Sequence, residues 1–434
     1  MKKRIALLLC VCMLLCLAAC GEKPAPPTQT GPTVPTQTQP TTQTTLPQEP
    51  DPVPAVQPLT LVKTLRTDFE WAEDYDRALV RSEHSTVTLA QEDAEAFPEM
   101  AQVLNRIAEN QTNTMAEEFG ILVSAAREEL DRDRDGFESY VSTLDVQVRR
   151  ADQLVISLLT DSYSHYGSIE HYRVFHGSNF DPKTGEALVL SDVIPDVTGA
   201  LAEAVQAELT SHVLFTEFYD ERVVADYFAN TPDDSISWTL DYNGVTFYFA
   251  PGVLSDGGMM TATVSFAQYP ELFAEQYMTV PEAYTVELPR DISFFTELDR
   301  DSALEMLSVS GWYDDERNAF LDYGVYTDTD GQYYYEECYA NYLHPYYVKA
   351  GSGHYVYLFC ENFEEGTRLM DLVVLRLNAD GSVTKAGAGN FSPAWLSDQS
   401  FLVPADPACL LLDDPDSSSR MTAHTVGEDG MPTR

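Results

Sequence analysis

Asp131, Asp133 and Asp135 stand at alternate positions of the run Asp131-Arg132-Asp133-Arg134-Asp135-Gly136. Carboxylates at positions one, three and five, with a glycine at six for the sharp turn, open a calcium loop of the EF-hand kind. Such a loop closes on a bidentate Glu at position twelve, and position twelve here is Ser142. Tyr140 to Val148 also alternates like a strand where the exiting helix belongs. The expectation is an acidic helix-to-strand turn, with the three aspartates as the metal candidates. Asp328-Thr329-Asp330 repeats only a fragment of the pattern. His171 and His176, with Glu170 and His165 nearby, raise the question of zinc. A helical zinc site wants His at i and i+4, whereas a spacing of five on a strand sends the two side chains to opposite faces. They are expected to be surface or core histidines. No G-x-S-x-G elbow, P-loop, G-x-G-x-x-G or complete class-A lactamase-like S-x-x-K set occurs, so no catalytic residue and no cofactor is expected. Paired carboxylates of the glycosidase type mark nothing when 69 Asp and Glu make close pairs inevitable.

Aromatic residues supply a second chemistry. Twelve of the 24 tyrosines fall between Tyr313 and Tyr357, in clusters that include Tyr333-Tyr334-Tyr335 and Tyr346-Tyr347. Exposed on one face, Tyr333, Tyr335, Tyr346 and Tyr347 would form a platform that stacks on sugar rings or anchors a protein partner. Tyrosine is also simply a good strand residue.

One cysteine carries a third. Lys2-Lys3-Arg4 precedes an apolar run from Ile5 to Leu17, too short for a comfortable bilayer span, and small residues follow. Leu17-Ala18-Ala19-Cys20-Gly21 resembles the bacterial lipobox, in which the cysteine becomes the lipidated first residue of the mature protein. Residues 1–19 are therefore expected to be a lipoprotein signal peptide and Cys20 the lipidation site, with the protein held at the extracytoplasmic face of the cell membrane. Of the seven cysteines, only Cys338, Cys360 and Cys409 would then remain as thiols or as one Cys338–Cys360 bridge.

These residues need elements to position them. Residues 20–58 are a tether: Glu22 to Pro58 holds 11 Pro, 9 Thr and 6 Gln in 37 residues. It cannot bury a core, and at 3.1 Å per residue it reaches about 115 Å. Residues 59–290 read as one domain. Phe97, Met100, Leu104, Ile107, Met115, Phe119, Leu122 and Ala126 recur at three and four, predicting a long helix or helix pair over 94–132. Leu201, Val205 and Leu209 predict another helix. Leu144, Val146 and Val148 alternate as a strand. Asn243-Gly244 between Ile236–Tyr242 and Val245–Phe249 predicts a hairpin, and Asp181-Pro182-Lys183-Thr184-Gly185 a turn. Residues 291–434 read as a β-rich domain after a short helical piece at Ser302 to Leu307, with hairpin turns at Asp328–Gly331 and Asn378–Gly381 and a frayed end from Asp413. The expected fold class is α+β: helices packed on a mostly antiparallel sheet, followed by a smaller β-rich C-terminal domain.

The ordered set Leu154-Val155-Ile156-Ser157-Leu158, Asn179-Phe180-Asp181-Pro182-Lys183-Thr184-Gly185 and Leu188-Val189-Leu190-Ser191-Asp192 is similar to a domain of unknown function shared by RsiV-type anti-sigma factors and the non-catalytic region of PdaC-type peptidoglycan deacetylases. Phe97-Pro98-Glu99-Met100 with Asn105, and Val245 to Pro251 with Val264-Ser265-Phe266, resemble its entry helix and closing strands. The resemblance covers about Leu59 to Val286. Where the family carries a Gly-Gly-Ala-His-like turn, this chain has Gly167-Ser168-Ile169-Glu170. The resemblance implies a binding or sensing role. The expected function is a lipid-anchored extracytoplasmic binding or sensing protein of the cell envelope, recognising a protein or peptidoglycan without catalysis. The alternative is a cell-wall hydrolase or deacetylase using carboxylates. A pocket with two buried, shifted carboxylates would favour the alternative, and a broad aromatic surface without one would favour binding.

Charge excludes other partners. The formal charge is −43, and removing residues 1–19 takes away Lys2, Lys3 and Arg4 and no acid, leaving −46. Phosphate contacts are made by Lys and Arg, so no nucleic acid partner is expected, and the anchor is the expected route to the membrane. Residues 59–290 carry 41 acids and 14 bases, and residues 291–434 carry 25 and 8. Both halves are equally acidic per residue, which marks a solubility property and not a binding face.

Overall fold

A computed structural model describes residues 56–434 apart from 74–76, 168, 198, 213–220, 255–257, 290–291, 315–316, 365–366 and 415–420. Cys20, the signal-like segment and all but the last residues of the tether lie outside the described residues.

The long stretches of alternating Val, Thr, Leu and Ser at the start form strands β1 (Leu61–Trp71), β2 (Ala78–Leu89), β3 (Tyr140–Ala151), β4 (Ile156–Tyr166) and β5 (Ile169–Phe180). They lie side by side in this order, and the late strand Ser400–Leu402 pairs with the outer edge of β1. All neighbours run antiparallel except β2 and β3, which are parallel because two helices cross between them, α1 (Gln91–Ala96) and α2 (Pro98–Arg132). Pro98 sits in the first turn of α2, where its missing N–H costs nothing. Met100, Leu104, Met115, Leu122 and Ala126 form its buried stripe, as their spacing predicts.

A second layer follows. Helices α3 (Leu190–Val193), α4 (Gly199–Ser211) and α5 (Glu221–Asn230) pack over a three-stranded antiparallel sheet of β6 (Trp238–Leu240), β7 (Gly244–Phe249) and β8 (Met260–Ser265). Leu201, Val205 and Leu209 of α4 are fully buried against Leu240, Phe247 and Val264. The Asn243-Gly244 hairpin forms, with the Asp241 N–H donating to the Gly244 carbonyl at 2.8 Å. Gly185, at φ +70°, ends the Asp181 turn in the left-handed region that glycine tolerates.

Strand β9 (Tyr284–Glu287) then leads into a four-stranded sheet of β10 (Phe294–Thr296), β11 (Glu305–Asp314), β12 (Ala319–Thr327) and β13 (Tyr333–Ala340). Strands β14 (Tyr342–Ala350), β15 (Gly353–Glu364), β16 (Thr367–Leu377) and β17 (Val383–Gly389) join β9 in a five-stranded sheet. That sheet is buried on both faces. One face meets the first sheet in a core containing Leu61, Val146, Ile156, Tyr346, Tyr357 and Phe359. The other meets the β10–β13 sheet in a core containing Leu307, Val325, Tyr347, Val356 and Leu358.

Buried ions stitch the layers together. Lys63 on β1 reaches Glu287 on β9 at 2.6 Å and Asp145 on β3 at 2.8 Å. Arg149 on β3 pairs with Asp241 at 2.9 Å and donates to the Glu287 carbonyl at 2.9 Å. Its neighbour Arg150 pairs with Asp152 at 2.7 Å and donates to the Tyr277 carbonyl at 3.0 Å. Opposite charges with further hydrogen bonds are what make burial of such groups tolerable.

The expected fold class is corrected by this arrangement. Strands outweigh helices, several sheets build the molecule, and no small C-terminal domain stands apart: Val56–Arg434 is one compact unit. The physical reason is that sheets made after residue 291 supply the second wall of cores begun before it, as where Val403 and Leu410 pack with Leu61. The helical piece expected at Ser302 to Leu307 instead leads into β11, and the end expected to fray from Asp413 holds a further strand, Thr422–Val426, which pairs with Leu410–Asp413 and buries His424. Cys338, Cys360 and Cys409 are all free thiols. Burial raises the Cys338 thiol to about 11 and the Cys360 thiol to about 12.

Candidate functional site

The aromatic candidates divide by strand position. Tyr333 and Tyr335 lie on β13, the outer strand of the four-stranded sheet, and are 65% and 61% exposed. Register sets what stands beside them: Tyr333 opposes Tyr326 and then Ser308, Tyr335 opposes Gly324 and then Ser310, and Glu337 opposes Asp322 and then Trp312. Directly opposed residues project from one face of a sheet. Trp312 is 59% exposed and Tyr339, further along β13, is 56% exposed. Gly324 is the floor: a Cβ there would stand 3.5 Å from the Tyr333 ring and 3.7 Å from the Tyr335 ring. The Tyr326 and Tyr333 rings lie 4.8 Å apart, tilted by 35°. The Trp312 N–H donates to Asp322 Oδ1 at 3.1 Å. The result is one sheet face that carries aromatic rings, with Ser and acidic residues in the same rows.

Tyr346 and Tyr347 are no part of it. Both are buried on β14, Tyr346 in the core against the first sheet and Tyr347 in the core against the four-stranded sheet. This corrects their candidacy, and the cause is that β14 is an interior strand covered on both faces.

The metal candidates form a turn. Asp131 lies in the last turn of α2, Asp133 caps it, and Asp133 Oδ1 accepts the Gly136 N–H at 3.1 Å. Asp131, Asp133 and Asp135 are exposed, and Ser142 lies on β3. They do not converge into a ligand set. Glu297, Asp299 and Asp301 do bring one oxygen each within 4.8 Å of one another on the loop before β11. The alternate spacing that drew notice to residues 131–135 recurs there and was the available signal. Of the histidines, His165 on β4 lies 3.4 Å from Glu138, and His176 is on β5 with burial lowering its basicity. The side chain of His171 lies outside the described residues.

A cleft of about 300 Å³ was not legible beforehand. The end of α4 contributes Glu208 and Ser211, with His212 after it; Tyr269 follows β8, Glu305 opens β11, and Asp328 follows β12. The Tyr269 hydroxyl donates to Glu208 Oε1 at 2.9 Å. His212 Nδ1 lies 2.6 Å from Asp328 Oδ2, its ring 4.7 Å from Phe295. Asp328 Oδ1 accepts the Met306 N–H at 2.8 Å, and Glu305 Oε2 accepts the Leu298 N–H at 2.6 Å. Burial pushes the Glu208 carboxyl up, against the Tyr269 hydrogen bond and His212. Burial, helped by Asp299 and Glu297, raises Glu305 to about 7. Ser211 Oγ donates to the Glu208 carbonyl. Its residues come from four separate segments of chain with no shared spacing.

No family model matches the chain, and no curated protein matches it. Among solved structures, a DUF3298 family protein from Pseudomonas aeruginosa PAO1 aligns at 13% identity and a TM-score of 0.36, over 52% of this chain and 98% of that one. A member of the DUF3298 family from Bacteroides fragilis aligns at 13% identity and a TM-score of 0.35, over 51% of this chain and 95% of that one.

Proposed function

We propose that this chain is a lipid-anchored, extracytoplasmic binding or sensing protein that presents the β11–β13 face to a cell-wall glycan. The observation that carries the reading is the exposure of Trp312, Tyr333 and Tyr335 on one sheet face around Gly324. Rings left this open stack well on the apolar faces of sugars, and Ser308, Ser310 and Glu337 in the same rows supply partners for sugar hydroxyls. The lipobox-like Cys20 and the Pro/Thr/Gln tether support the location: an anchor at one end and a reach on the scale of a cell wall.

The molecule also holds a cleft with two shifted carboxyls, the feature expected of a hydrolase. That cleft is the observation that favours a hydrolase, whereas the exposed ring face, which a hydrolase reading leaves without a use, favours binding.

The test is retention of the full-length protein on insoluble wall glycan and titration with soluble glycan fragments. Trp312→Ala, Tyr333→Ala and Tyr335→Ala are each expected to weaken binding about tenfold, the loss typical of an aromatic anchor. Phe69→Ala, an exposed ring on β1, should change nothing. Glycan binding that is absent, or indifferent to all three changes, defeats the reading. Retention of lysozyme in place of glycan, lost with the same three changes, would assign the face to a protein partner.

A further inference from the structure

The Glu208–Glu305 cleft is chemically unlike the aromatic face and is built from other residues. Glu208 is 4% exposed and Glu305 is 7% exposed. A buried carboxylate is ordinarily matched by a lysine or arginine, as Asp241 is by Arg149 and Asp152 by Arg150 elsewhere in this molecule. Among the described residues no lysine or arginine lines the cleft, and none forms an ion pair with Glu208 or Glu305. One oxygen of each is held by a neutral donor, the Tyr269 hydroxyl and the Leu298 N–H. Asp328 is already engaged by His212 and the Met306 N–H. The further charged groups acting on the pair are His212 on Glu208, and the acidic Glu297 and Asp299 on Glu305 with Glu271 through Tyr269.

We propose that this cleft binds an organic cation, an ammonium or guanidinium group borne on a chain the size of one basic side chain, with Glu208 and Glu305 as its counter-charges. A volume of about 300 Å³ admits one flexible aliphatic stem and its charged head. Burial without a counter-ion is what raises both carboxyls, and a bound cation would supply that counter-ion and favour the ionised forms. Binding therefore releases protons, and affinity rises with pH as the carboxyls ionise ahead of the ligand. His212, which faces Glu208 and Asp328, is the cleft's other ionisable neighbour of the pair.

The experiment is calorimetric titration of the full-length protein with agmatine, cadaverine and Nα-acetyl-lysine methylamide, in two buffers of different ionisation enthalpy at pH 6 and pH 8. Expected are saturable binding, proton release at pH 6, and affinity at least fivefold higher at pH 8. Glu208→Gln and Glu305→Gln should each weaken binding about tenfold, and Nα-acetyl-norleucine methylamide, which has the stem without the charge, should not bind. Ala303→Lys, at an exposed position on the cleft wall, leaves both carboxylates in place, supplies an internal cation and should abolish binding. Binding of the lysine amide alone identifies the source as a basic side chain of a protein or peptide, and equal binding of the free amines identifies a small solute; both support the site. No saturable binding by any cation, equal binding of the norleucine amide, or binding unchanged in Ala303→Lys and in both Gln variants would overturn it.

Discussion

At the scale of single residues, His354 and Glu305 titrate in opposite senses over the same pH range. Burial lowers His354 from 6.5 to about 4, with Lys349 and Arg300 adding repulsion. The neutral ring is held by the Tyr347 hydroxyl, which donates to Nδ1 at 2.6 Å. A depressed folded pKa stabilises above the unfolded value, so this contribution is present above pH 6.5 and is lost as pH falls toward 4. Glu305 moves from 4.5 to about 7. A raised folded pKa stabilises below the unfolded value, so its contribution is present below pH 4.5 and is lost as pH climbs through 7. Each shift corresponds to roughly 3 kcal/mol over its full range. Between pH 4.5 and 6.5 the two slopes oppose each other. Urea unfolding of His354→Gln should show wild type gaining on the variant as pH rises from 4.5 to 6.5. Glu305→Gln should gain on wild type as pH rises toward 7. Stability curves parallel to wild type in both variants would show that neither group is linked to folding.

At the scale of elements, β14 carries the clearest contrast. Tyr346 and Tyr347 are adjacent in sequence and face different cores, because the strand is covered on both sides. The Tyr347 hydroxyl accepts from Thr296 Oγ1 at 2.8 Å and donates to His354. The Tyr346 hydroxyl is buried and has no hydrogen-bond partner among the described residues. Removing an unsatisfied buried hydroxyl relieves a desolvation cost, whereas removing a satisfied one leaves its partners stranded. Tyr346→Phe should therefore be neutral or stabilise by about 1 kcal/mol, and Tyr347→Phe should destabilise by about 1–2 kcal/mol, in chemical denaturation. The reverse order would place an unrecognised partner on Tyr346. The same strand shows where a sequence stops being readable. The 3–4 spacing of Met100, Leu104 and Leu122 revealed α2, and Asn243-Gly244 revealed a hairpin, because those signals are local. Tyr333-Tyr334-Tyr335 and Tyr346-Tyr347 look alike in one dimension. What separates them is that β13 is an edge strand and β14 an interior one, a property of pairing between distant segments. The Glu208–Glu305 cleft was hidden for the same reason, since its walls lie about a hundred residues apart in the chain.

At the scale of the whole molecule, the change to strand-rich sequence near residue 290 suits a division into two separate halves, yet the described residues after 55 form one compact unit. Three features bind the halves. The strand Ser400–Leu402 completes the first sheet by pairing with Val62 to Thr64. Lys63, buried on β1, is matched by Glu287 on β9, and β9 itself pairs with β14. The core under the first sheet takes Tyr346, Tyr357, Phe359, Leu372 and Val374 from beyond residue 340 as its opposite wall. A fragment covering residues 56–290 would keep β1–β9 and expose that wall's partners, Leu61, Val87, Val146 and Ile156, to water. Burial of such side chains contributes about 1.5–3 kcal/mol each, so losing even four of them exceeds half the stability of an ordinary domain. The fragment should lack a cooperative thermal transition and bind a hydrophobic dye, while residues 56–434 unfold in one transition. A fragment of residues 56–290 that melts sharply, with dispersed amide resonances, would show that the later sheets lean on a core already complete without them.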